Sequence, residues 1–159
     1  MRGLFVAGLL GCALASAASA AAPAFDIAVL DASAADPAPA EIASGVLAER
    51  FGAYDYREAR RRAGPFWLRL TALEPSARSG SPALVIEKGR HLAVNVYAPA
   101  AGNAQGMRPL AFAAALPGFS GTQEAVYALP GPLAAADTLY VRVEAARQRG
   151  AEVLRFGTG

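Results

Sequence analysis

The chain has 159 residues, with 15 Lys and Arg against 13 Asp and Glu, one histidine and one cysteine, so its formal charge is only +2. This balance provides no concentrated basic face for nucleic acid, and a zinc site would have to be completed by carboxylates, which departs from the common ligand sets. Lys88 is the only lysine among many arginines, a bias that reflects genomic base composition and carries no functional information.

In chain order, the first feature is a leader. Arg2, the apolar run Leu4 to Leu14 and the small-residue stretch Ser16 to Ala22 reproduce the three-part layout of a secretory signal peptide. Residues 1–20 are therefore expected to be removed after Ala20, at an Ala18-Ser19-Ala20 site; cutting after Ala22 would leave Pro23 at the new N-terminus. The apolar run is shorter than the roughly 20 residues that span a bilayer. Leu9-Leu10-Gly11-Cys12 has the outline of a lipoprotein site, but too few residues precede Cys12 for a charged region and a full apolar region. Cys12 is thus expected to leave with the leader. The mature periplasmic protein would then lack disulfides, a thiol nucleophile and thiolate metal ligands.

Residues 21–39 form an N-terminal segment rich in Ala, Asp and Pro, interrupted by the alternation Phe25-Asp26-Ile27-Ala28-Val29, which predicts an edge strand. Residues 40–159 are read as one extracytoplasmic domain, long enough to bury its own core. It opens with a connecting helix that places Ile42, Val46 and Leu47 on one face and ends near Gly52. The charged segment Asp55 to Gly64, with Arg60-Arg61-Arg62, reads as a solvated loop or helix end; contact with phosphate or anionic lipid is the alternative.

From Phe66 the hydrophobic period becomes two, the mark of strands with one buried face. Phe66, Leu68 and Leu70 oppose Trp67, Arg69 and Thr71. Leu84-Val85-Ile86 follows, and then Leu92, Val94 and Val96 alternate with Ala93, Asn95 and Tyr97. Leu110, Phe112 and Ala114 form the next alternation, stopped at Leu116-Pro117-Gly118. Further strands are expected at Ala125 to Leu129, Leu139 to Ala145 and Val153 to Phe156. Short strands about ten residues apart, punctuated by Gly and Pro, predict an all-β antiparallel sandwich or barrel preceded by a short helix.

The catalytic inventory is thin. His91 has no second histidine to join it. Ser76, Ser79 and Ser81 lie in a Gly- and Pro-containing loop, and Gly118-Phe119-Ser120-Gly121 lacks the spacing of a nucleophile elbow. Glu74, Glu87, Glu124, Asp137 and Glu144 are dispersed, so a carboxylate pair for glycan hydrolysis is not readable from spacing. The expectation is a protein with no catalytic residues, no metal and no cofactor. A small secreted glycan-acting hydrolase and a periplasmic protein-interaction module are its rivals.

The non-aliphatic face of the strands is the feature that invites a ligand. Trp67 and Arg69, Asn95 and Tyr97, and Tyr140, Arg142 and Glu144 alternate out of phase with the aliphatic residues of their own strands. If the strands share a sheet, this face is aromatic and hydrogen-bonding, suited to a sugar or another small polar ligand. The same pattern would arise from an ordinary outer face, or from packing beneath a loop or helix.

The segment 64–145 also resembles a known family. Gly64-Pro65-Phe66-Trp67-Leu68-Arg69-Leu70 looks like its opening strand, and Leu84-Val85-Ile86-Glu87 with His91-Leu92-Ala93-Val94-Asn95-Val96-Tyr97 its central pair. Val126-Tyr127-Ala128-Leu129-Pro130 and Thr138-Leu139-Tyr140-Val141-Arg142-Val143-Glu144 resemble its closing turn and final strand. The family is the type 2 extracellular domain of bacterial seven-transmembrane receptors with diverse intracellular signalling modules (7TMR-DISM). The resemblance implies a jelly-roll β-sandwich similar to carbohydrate-binding modules, acting as a periplasmic sensor. In the family this domain precedes seven transmembrane helices and a diguanylate cyclase, histidine kinase or related output domain. No such helices follow here before Gly159, so the chain is expected to be a receptor fragment or a stand-alone form.

Overall fold

The structure is a computed structural model that describes residues 25–31, 36–55, 64–75, 82–89, 92–100, 106–117, 122–144 and 154–158. The leader with Cys12, the Arg60-Arg61-Arg62 run, His91, Ser76, Ser79 and Ser81, and the Gly118-Phe119-Ser120-Gly121 stretch lie outside these residues.

Among the described residues ten strands are formed: β1 (Phe25–Leu30), β2 (Phe51–Ala53), β3 (Phe66–Ala72), β4 (Ala83–Gly89), β5 (Ala93–Pro99), β6 (Met107–Pro109), β7 (Phe112–Pro117), β8 (Thr122–Ala128), β9 (Thr138–Glu144) and β10 (Leu154–Thr158). The helix α1 spans Pro39–Ala43, followed by a 3-10 turn at Ala48–Arg50. One sheet has the order β2-β1-β3-β9-β5-β6 and the other β10-β4-β8-β7, with antiparallel pairing throughout. The fold is thus the all-β sandwich expected from the period-two pattern.

The main core fills the space between the sheets. Phe66, Leu68 and Leu70 of β3, Val94 and Val96 of β5, and Leu139, Val141 and Val143 of β9 meet Leu84 and Ile86 of β4 and Ala125 and Tyr127 of β8. β-branched and aromatic side chains suit such half-buried strands. The Tyr127 hydroxyl donates to the Val94 carbonyl at 2.8 Å, a buried bond from one sheet to the other.

Three expectations need correction. β1 is not an edge strand, because the short β2 pairs on its far side, with Leu30 opposite Phe51. The connecting helix stops at Ala43, well before Gly52. Gly45 adopts φ +77, a left-handed conformation that glycine reaches without steric cost, and the Ser44 hydroxyl donates to the Glu41 carbonyl, capping the last turn. As a result Ile42 is buried while Val46 is 81% exposed, so the two do not share a packed face.

Finally, the expected strand through Leu110, Phe112 and Ala114 begins only at Phe112, as β7, because the chain turns a corner between the sheets at Leu110 and Ala111. Leu110 N–H donates to the Val96 carbonyl in the first sheet, whereas the Ala111 carbonyl accepts from Ala128 N–H in the second. β7 beyond that corner is an edge strand with Phe112 58% and Leu116 48% exposed.

Candidate functional site

β3, β9 and β5 are neighbours, and their register brings all six candidate ligand residues onto one face. Trp67 lies opposite Arg142 and Arg142 opposite Asn95; one step along, Arg69 lies opposite Tyr140 and Tyr140 opposite Tyr97. The result is a grid of three strands by two rows, turned away from the main core. Alternation within each strand was legible in the sequence, but adjacency of the three strands comes from the topology.

The chain covers much of this grid with its own N-terminal segment. From β1 the backbone passes through Asp36 and Pro37, crosses as α1 towards β6, and returns through the 3-10 turn to β2. Ile42 of α1, Leu30 and Trp67 form a second buried cluster, against which Leu47, Phe51, Tyr97, Met107 and Tyr140 pack. Trp67 is 0% exposed and its indole N–H donates to the Pro37 carbonyl at 3.1 Å. A buried indole N–H needs such a partner. With this strap in place, Trp67 is a packing residue and its ring offers no face to a ligand; for this residue, packing beneath a helix is what the alternation encoded.

Arg142 is also committed locally. Its Nε donates to Asp36 Oδ1 at 3.2 Å, Nη2 donates to Asp36 Oδ2, and Nη1 donates to Glu144 Oε1. The fork geometry of the guanidinium makes the Asp36 contact bidentate. These hydrogen bonds hold the Asp36 carboxyl below its ordinary range and push Arg142 above its own, against the opposing effect of burial. Asp36 carried no signal in the sequence that marked it as a partner, since 106 positions separate it from Arg142.

The second row is half-buried. The Arg69 guanidinium sits 5.0 Å from the centre of the Phe51 ring and donates to the Ala48 carbonyl at 3.4 Å. Tyr140 packs against the same ring at 6.1 Å, and Tyr97 tilts against Trp67 at 5.3 Å. Asn95 and Glu144 are exposed, while Arg69, Tyr97, Tyr140 and Arg142 retain partial access. The accessible part of the site is therefore its β5–β9 margin. Rings beside amide, carboxylate and guanidinium groups there can stack on and hydrogen-bond a small polar ligand.

Two clefts lie away from the grid. One, of about 300 Å³, flanks β7 and β8 at Leu116, Pro117 and Gln123. The other, of about 400 Å³, opens at the end of the sandwich between the β5–β6 hairpin and the Pro130-Gly131-Pro132 turn. Among the described residues, no group of three or more His, Cys, Asp or Glu is arranged to hold a metal, and no helix is long and apolar enough to cross a membrane. No protein-family model, curated protein or solved structure matches this chain.

Proposed function

We propose that the chain is the extracytoplasmic ligand-binding module of a bacterial signalling receptor, or a stand-alone relative of one, and that it binds a small polar ligand such as a sugar without chemical turnover. The observation that carries this reading is the grid itself: the strand register gathers Asn95, Tyr97, Tyr140 and Arg142 at one partly accessible margin. Aromatic rings beside amide and guanidinium groups are the elements of polar-ligand recognition. The leader-like N-terminus supports a periplasmic setting. The family resemblance over 64–145 supports the sensor role and its coupling, in a longer protein, to a diguanylate cyclase or histidine kinase. The nested pairing of β3 with β9 and of β4 with β8 supports jelly-roll winding.

The test is a thermal-shift and calorimetric screen of the mature protein against sugars and small polar metabolites, followed by Asn95→Ala and Tyr97→Ala. Ligand stabilisation that both variants weaken is the expected result. Binding insensitive to both places the ligand elsewhere, and catalytic turnover of a glycan by the pure protein overturns the non-enzymatic assignment.

A second reading, a protein-interaction module, is favoured by β7. This edge strand carries no charge between Phe112 and Pro117 and exposes Phe112 and Leu116. Uncharged exposed edges are templates for strand addition.

A further inference from the structure

The cleft at the end of the sandwich is built differently from the grid. Its floor is made by Leu133 and Leu139, which belong to the main core and are almost fully buried. An apolar group placed there extends the core and does not rest on an isolated surface patch. Pro99 and Pro130 stand in the walls, and proline's fixed φ keeps such walls in place before a ligand arrives. The volume of about 400 Å³ lies within the range of small-molecule sites.

Two charged side chains line this cleft, and they are in different states. Asp137 is tied into the preceding turn: its Oδ2 accepts Ala134 N–H at 2.7 Å and its carbonyl accepts Ala72 N–H at 2.8 Å. Its negative charge is thereby held in a fixed position. Arg108, on β6, is opposite Ala98, whose side chain faces the core, so the register directs Arg108 to the same side of the sheet. Arg108 is exposed, and among the described residues no carboxylate pairs with it. Arg50 and Arg142, by contrast, pair with Asp31 and with Asp36 and Glu144.

We propose that this cleft binds a small organic anion with an apolar body, that is, an amphiphilic monocarboxylate. The carboxylate takes the Arg108 guanidinium through paired N–H donors, and the apolar body covers Leu133 and Leu139. The fixed Asp137 carboxylate disfavours a second negative charge on the ligand, so the site discriminates against dicarboxylates. This site shares no residue with the β5–β9 margin and does not rest on the reading of that margin.

Phenylacetate, isovalerate, phenylacetamide and succinate serve as probes in calorimetric titrations, with backbone amide NMR shifts to locate binding. Phenylacetate or isovalerate is expected to bind and to shift the amides of Ala98, Ala100, Gly131, Leu133, Asp137, Thr138 and Leu139. Arg108→Ala should weaken that binding on the order of tenfold, with Arg108→Lys intermediate, as for loss of a charge-assisted hydrogen bond. Phenylacetamide and succinate should bind more weakly than the monocarboxylates. Equal binding by Arg108→Ala, amide binding as tight as acid binding, shifts confined to the β5–β9 margin, or no carboxylate binding up to about 10 mM would each overturn the proposal. Arg108 is exposed on a short strand, so its replacement leaves the core intact; Asn95→Ala serves as the control that should leave phenylacetate binding unchanged.

Discussion

Replacing Trp67 with alanine tests whether the N-terminal strap is an integral layer of the domain. The side chain is completely buried between β3 and α1, packs against Ile42 and Tyr97, and gives its N–H to Pro37. Removing a buried aromatic of this size costs about 3–5 kcal/mol. At roughly 3 °C per kcal/mol for a domain of this length, the melting temperature should fall by about 10–15 °C. Trp67→Phe separates the two contributions, because it keeps much of the packing while leaving the Pro37 carbonyl without its donor, at a cost of about 1–3 kcal/mol.

Trp67 is also the only tryptophan, so its fluorescence reports this cluster alone. Native emission should be blue-shifted and resistant to acrylamide, and Ile42→Ala should shift it to the red by loosening the strap. A Trp67→Ala variant that melts within about 3 °C of the native protein, together with native emission freely quenched by acrylamide, would refute the packing described for the strap.

Other expectations follow from individual contacts. Asp36 has its pKa depressed below 3.8 by the hydrogen bonds from Arg142, so its contribution is present above the unfolded value and is lost as pH falls through the lower folded one. Asp36→Asn should therefore destabilise the protein by about 1 kcal/mol or less near neutrality, as befits a partly exposed pair, and the difference should vanish in strong acid; denaturant melts at several pH values would show it. Lys88 is 9% exposed, and burial lowers its pKa. A lowered lysine pKa makes stability rise with pH between the folded value and 10.5, so Lys88→Met should raise the melting temperature at pH 7 and gain less at pH 10. Tyr127→Phe removes the bond between the sheets and should cost about 1–2 kcal/mol, measurable by urea denaturation. If the leader is processed as read, intact mass spectrometry of protein from a bacterial periplasm should show an N-terminus at Ala21.

The strand content was legible because period-two alternation is a local property. Phe66 to Thr71, Leu92 to Tyr97 and Leu139 to Glu144 each declare a buried and an outward face within a few residues. The same logic misplaced the start of β7: Leu110 fits the alternation, but the chain changes sheets between Leu110 and Ala111, a switch set by hydrogen bonds to Val96 and Ala128. It also failed for the helix. Ile42, Val46 and Leu47 have helical spacing, yet Gly45 at φ +77 ends the helix between them.

For the candidate site, sequence alone determined which side chains oppose the core, because a strand's alternation is fixed by its backbone. Only the tertiary structure decided that β3, β9 and β5 lie side by side, that the strap buries Trp67, and that Asp36 holds Arg142. Those outcomes depend on contacts between segments far apart in the chain, where loop closure and long-range packing set the geometry and local pattern carries no record of it. The cleft with Arg108 and Asp137 belongs to the same category. Its members come from β6 and from the turn before β9, and nothing in either stretch announces the other.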